Sequence, residues 1–257
     1  MGRAERVLWY LNFFATLVLL ARMAYYKLHR AYPYIFLYWL SQIVASLLLL
    51  QIPMRSSKYA YAFFLAHFVG LVLAVLVIQE LYGCALAAHP ALSTFGRRSV
   101  LAVLAITAAV AAALTGLDAT VLPGQYAAIH RFMTVSRTLE FMILVFFAAI
   151  GGFLLWFPVR IRRNIAVYLL GFFVFYAFQS LAFLLNNLLA QQHSQAISTA
   201  ALAIALLCTM IWFVGLREEE AREAMVAGHS WNPAEAARLS IQLDQINKSL
   251  NRFVRTS

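Results

Sequence analysis

Residues 59–81 read YAYAFFLAHFVGLVLAVLVIQEL. A helix needs roughly 20 apolar residues to cross the hydrocarbon of a bilayer. This stretch meets that length. Its polar residues are a histidine, His67, and a Gln79–Glu80 pair at one end. It reads as a transmembrane helix, and six further segments satisfy the same test: residues 7–21, 34–52, 100–116, 127–157, 165–189 and 197–216. The first is short, and Arg6 and Arg22 are expected to snorkel from its ends. The fold class is therefore an all-α polytopic membrane protein, a seven-transmembrane-helix bundle. Two parts are expected: a seven-helix domain over residues 1–216 and a cytoplasmic helical tail over 217–257.

Composition agrees. Of the 257 residues, 63% are hydrophobic and 12% charged, with a mean hydropathy of +0.78. Soluble domains carry about 25% charged residues, so a water-soluble globular protein is excluded. Disorder is excluded too, because it needs low hydrophobicity. The net charge of +10 does not point to nucleic acid. No basic cluster interleaved with aromatics stands in a soluble segment, and the expected partners of the cations are membrane lipids.

Prolines and aromatics set the boundaries. Pro33, Pro53, Pro90, Pro123, Pro158 and Pro233 all lie between or beside the apolar runs. Proline cannot continue a helix without losing a hydrogen bond. Trp9, Tyr10, Tyr34, Tyr38, Tyr59 and Tyr82 stand near span ends and are expected at headgroup level. No small-residue cleavage site follows the first run; Arg22 and the bulky Tyr25 and Tyr26 do, so it is expected to remain as a span.

Orientation follows from the cations. With the N-terminus outside, the inner loops hold Arg22, Lys27, Arg30, Arg97 and Arg98, and then Arg160, Arg162 and Arg163. The tail adds six more. The outer side holds Arg3, Arg6, Arg55, Lys58 and Arg131. Cytoplasmic loops are enriched in lysine and arginine, so the expected placement is an inner (plasma) membrane with the N-terminus outside and the C-terminus cytoplasmic.

Several chemistries lack their residues. The seventh span has no lysine, so a retinal Schiff base has no anchor. Cys84 and Cys208 form no CxxC pair, and the six histidines are scattered singly, so neither a metal site nor a cofactor is expected. No nucleophile with an adjacent base is visible, so no catalytic residue is assigned and the chain is not expected to be an enzyme. No proline interrupts a span, although Gly151 and Gly152 sit inside the fifth. This weakens transport through broken helices. Ala105, Ala109 and Ala113 form a small-residue packing face.

Ionisable residues at membrane depth are costly and face the bundle interior. Arg137 and Glu140 are three apart in the fifth span, so they share a face and can pair. His130, Arg131 and Thr134 stand one or two turns earlier. His67, Tyr176, Gln179 and Asn186 should reach a similar depth from other helices. The expected ligand-binding set is His67, Arg137, Glu140, Tyr176 and Gln179, forming an outward-facing polar chamber. The structural alternative is an Arg137–Glu140 clamp that only locks packing. Glu80, at the inner end of its span, is expected to snorkel or to pair with a loop arginine.

After residue 216 charge returns abruptly, and the seventh helix is expected to continue through residues 217–223 until Gly228. Asn232-Pro233-Ala234-Glu235 is a helix-start signature. Behind it, Leu239, Leu243, Ile246, Leu250 and Phe253 continue a 3–4 spacing, a short heptad seam. The alternative is an amphipathic helix on the leaflet or on the bundle. The seam is expected to support homo-oligomerisation or partner docking.

In topology alone the chain resembles the seven-span sensory modules of bacterial receptors. The leading expectation is a receptor-like or scaffold module that signals through a partner. A small-solute or proton-coupled transporter and an accessory subunit of a larger complex are the alternatives.

Overall fold

The computed structural model describes residues 3–53, 56–117, 125–157, 159–188, 194–217, 224–226 and 232–256. The described residues form nine helices and two short strands. In chain order these are α1 (Arg3–Tyr25), α2 (Leu28–Ala31), α3 (Pro33–Gln51), α4 (Ser57–Ala85), α5 (Pro90–Leu117), α6 (Gln125–Trp156), β1 (Arg160–Arg162), α7 (Arg163–Leu188), α8 (Ser194–Gly215), β2 (Ala224–Val226) and α9 (Pro233–Thr256). Seven of them, α1 and α3 through α8, are long and apolar enough to cross a membrane. In hydrocarbon every backbone polar group must be satisfied within its own segment, and helices do this.

Spans expected from apolarity alone are extended in the structure. α1 gains a turn at each end, and α5 starts at Pro90 rather than near residue 100. Helices continue past the apolar run because their polar ends reach headgroups or water. Pro33, Pro90 and Pro233 each open a helix, where a missing N–H costs nothing. Gly151 and Gly152 do not break α6.

Helix neighbours define a ring. α1 packs on α3, α3 on α4, α4 on α6, α6 on α7, α7 on α8, and α8 back on α1. α5 stands outside it, against α4 and α6. Inward faces read as stripes: Ser136, Glu140, Ile143, Phe147, Ile150 and Leu154 on α6 are all buried. Outward faces carry exposed apolar residues such as Val7, Leu11, Phe14 and Val18 on α1, as lipid contact requires.

Polar side chains tie the ends of the ring. Asn12 on α1 donates to Leu202 O at 2.8 Å on α8. Arg22 Nη2 donates to Leu216 O at 2.9 Å, placing a cation at the C-terminal end of α8. Arg22 also stands 4.6 Å over the Phe213 ring. Asn164 binds Arg217 in both directions, donating to its carbonyl at 2.9 Å and accepting from its N–H at 3.1 Å.

Glu80 corrects its sequence reading. It neither snorkels nor meets an arginine. Its carboxylate accepts the N–H of Tyr34 at 3.2 Å and of Ile35 at 3.0 Å. These are two of the first free donors of α3, so Glu80 caps a different helix in trans. An arginine expected in a loop lies instead on α5 and is engaged by Gln79: Arg97 Nε donates to Gln79 Oε1 at 3.1 Å.

The seventh span does not run on into the tail. α8 ends at Gly215, and residues Ala224–Val226 pair antiparallel with Arg160–Arg162. Trp212 and Leu216 lie in the core and Phe213 packs against it, whereas residues 218–223, over which the helix is expected to continue, lie outside the described residues. Asn232 Oδ1 accepts from Ala234 N at 3.2 Å, the cap its sequence predicts for α9.

α9 docks on the start of α5. Asn247 Oδ1 accepts from Ala91 N at 3.1 Å and Leu92 N at 3.2 Å. His89 Nδ1 lies 3.6 Å from Asp244 Oδ1. Leu243 is buried in the core, Leu239 is half-buried and Ile246 is exposed; the side chains of Leu250 and Phe253 lie outside the described residues. Leu243 of the expected seam is thus spent within the chain, on the bundle.

Candidate functional site: a buried polar cavity

Glu140 sits in the inward stripe of α6 and is 3% exposed. His67 extends the inward stripe of α4, whose next members are Leu71, Ala74, Ile78 and Leu81. Across that helix pair His67 Nε2 approaches Glu140 Oε1 to 3.2 Å. The second carboxylate oxygen, Oε2, is buried and has no hydrogen-bond partner. An unsatisfied buried acceptor costs about 1–3 kcal/mol, so its persistence at a cavity wall needs a reason.

The cavity has a volume of about 260 Å³. α4 supplies Phe63, Ala66, His67, Gly70 and Leu71; α6 supplies Glu140. α7 adds Phe175, Tyr176 and Gln179, and α1 adds Trp9. From α3 come Tyr38, Gln42, Ala45, Ser46 and Leu49. A second chamber of about 180 Å³ shares Trp9, Tyr38, Gln42, Ser46 and Phe175 with the first and reaches Asn12, Thr16 and Thr209. Together they form a polar crevice within the helix ring.

The crevice lies toward the end of the bundle away from the cation-rich loops. On α3, which starts at that basic end, the lining runs from Tyr38 to Leu49. At 1.5 Å per residue this is about 8 to 24 Å from Pro33. Aromatic rings close it on the basic side. Trp39 meets Trp212 at 4.8 Å, and Phe172 meets Trp212 at 4.9 Å. Phe147 stacks on Phe172 at 5.5 Å, and Tyr38 meets Phe172 edge-on at 5.5 Å. Tyr38 lines the crevice and packs on Phe172, so the floor of the polar crevice is also the roof of the aromatic cluster.

Four of the five expected residues, His67, Glu140, Tyr176 and Gln179, meet at this cavity. Arg137 does not line it. Nor does Arg137 pair with Glu140, whose partner is His67. Three helical positions turn Arg137 about 60° from Glu140 (3.6 residues per turn), enough to leave it half-buried beside the inward stripe. The expected Arg137–Glu140 clamp is therefore corrected to a His67–Glu140 contact between helices. The side chains of His130, Arg131, Thr134 and Asn186 lie outside the described residues.

Trp9 and Tyr38, expected at headgroup level, face the crevice instead, and Tyr38 is 4% exposed. Gln42 and Ser46 were not singled out from the sequence. A signal was there: Tyr38, Gln42 and Ser46 recur at four-residue spacing in an otherwise apolar span, so they share one face. Among the described residues no group of three metal-ligating side chains occurs.

Comparison with known proteins finds no matching family model, no matching curated protein and no matching solved structure. Fold and site define the class: a helical bundle with seven helices long and apolar enough to cross a membrane, and a cavity among them lined by polar and aromatic side chains.

Proposed function

We propose that the chain is a receptor-like seven-helix membrane protein. Its crevice binds a small ligand from the outer side, and its α9 tail carries the contact to a partner. The observation that supports this most is the His67–Glu140 pair at 3.2 Å on the wall of a cavity, with the second carboxylate oxygen of Glu140 buried and without a hydrogen-bond partner. Intramembrane ionisable groups that serve packing alone are normally satisfied by partners. The outward direction rests on the cations: the end of the bundle that holds Arg22, Arg97, Arg98 and Arg163 is assigned to the cytoplasm by the positive-inside rule.

A proton-coupled transporter would use the same pair. The aromatic cluster of Trp39, Phe172 and Trp212 packed beneath the crevice speaks against it. Oligomerisation through Leu239, Leu243, Ile246, Leu250 and Phe253 is the weaker reading of the tail, since Leu243 packs on the chain's own bundle.

Side-specific thiol labelling tests the proposal. In a background with Cys84 and Cys208 replaced by serine, Gln42→Cys and Ser46→Cys should react with a membrane-impermeant maleimide from the outer face only. Reaction from both faces would favour transport, and no reaction from either would end the binding reading.

A further inference from the structure

We infer that the crevice takes a small organic cation, a primary or secondary amine with a short apolar body. The inference rests on the ligand-binding reading above and names its chemistry. Glu140 supplies it. The side chain is almost fully buried, and Oε2 is without a donor. An ammonium N–H is the donor that such an oxygen lacks, and a charge-assisted bond of this kind is about twice as strong as a neutral one.

The walls carry the rest. Trp9, Phe63 and Phe175 put aromatic rings in the cavity's lining. Aromatic faces attract cations through the ring quadrupole, more strongly where water is excluded. Gln42 and Gln179 offer amide oxygens for a second N–H.

Charge selects the sign. Among the described lining residues Glu140 is the one carboxylate, and none is a lysine or an arginine. Arg137, one turn away, does not line the cavity, so no fixed cation there would hold an anion. An anionic ligand would meet Glu140 directly, and like-charge contact is costly at low dielectric. The chamber that Glu140 lines has a volume of about 260 Å³, below the usual range of about 300–1,000 Å³ for drug-sized sites, so a ligand held there is small.

Calorimetric titration and thermal unfolding of the full chain in lipid nanodiscs test this. The probes are propylammonium, the neutral 1-propanol and the anion propionate. Propylammonium should bind and raise Tm, and the other two should not. Glu140→Gln should weaken propylammonium at least tenfold. Should that variant fold poorly, Ala66→Phe leaves the carboxylate in place, fills the cavity and should abolish binding. Glu80→Gln, a carboxylate outside the crevice, should bind as the wild type does. Preference for propionate or 1-propanol, with binding lost in Ala66→Phe, overturns the cation inference while the ligand-binding reading stands. Binding unchanged in Glu140→Gln overturns it too. Binding of none of the three, together with unreactive cysteines at Gln42 and Ser46, overturns both.

Discussion

His67 on α4 and Glu140 on α6 meet at 3.2 Å, although 73 positions separate them in the chain. The contact joins two walls of the helix ring at the cavity surface. It stands where the sequence predicts a local pairing of Glu140 with Arg137, one turn away on the same helix, and it is a close contact between helices. Its energetic signature is coupling.

Replacing His67 by Phe leaves a buried carboxylate with no neighbouring donor, which should cost about 1–3 kcal/mol. Glu140→Leu alone should also destabilise. The double variant should be more stable than the sum of the two, with an interaction energy of about 0.5–3 kcal/mol. Unfolding of all four proteins in one detergent measures this. Strict additivity would mean that the two side chains are not coupled.

Glu80 caps the N-terminus of α3 from α4. Glu80→Ala removes both acceptors and should cost about 0.5–2 kcal/mol. Glu80→Gln keeps an oxygen for one N–H and should lie between. Hydrogen exchange should accelerate first at Tyr34 and Ile35. Equal protection in all three proteins would refute the trans-cap.

Gly171 is where α7 meets α8. A Cβ there would clash with Nε1 and Cε2 of Trp212. The Trp212 ring is fully buried and wedged against Trp39 and Phe172, so it has nowhere to move. Gly171→Ala should destabilise by about 1–3 kcal/mol through overpacking. Adding Trp212→Phe should recover part of the loss. A wild-type melting temperature for Gly171→Ala would show that the two helices can separate at no cost.

Asn247 fastens the tail by accepting two N–H groups at the start of α5. Asn247→Ala should release α9, by about 1 kcal/mol on the scale of a lost helix cap. Limited proteolysis within residues 233–256 should rise severalfold while the bundle melts as before. Unchanged cleavage would leave Leu243 as the anchor, and Leu243→Ala then becomes the discriminating variant.

The spans were legible in the sequence, because lipid imposes a local rule. Each crossing segment must be apolar along its length and satisfy its own backbone. Pro33, Pro90 and Pro233 opened helices for an equally local reason, and Asn232 announced its cap. The depth of His67, Glu140, Tyr176 and Gln179 could be counted along each helix, so the membership of the cavity was largely readable. What could not be read was rotation and partnership. A few tens of degrees about the α6 axis decide whether Arg137 or only Glu140 faces the interior. That angle is fixed by how the whole inward stripe from Ser136 to Leu154 packs on its neighbours. Glu80 needed the position of a helix start 46 residues earlier. Tyr38 reads as an interfacial aromatic until ring closure buries it. Sequence by itself determined which segments are apolar enough to cross a membrane and how far along its helix each polar group lies, through apolar length and helical rise. Only the tertiary structure decided which groups meet, because that depends on contacts between helices that no single span encodes.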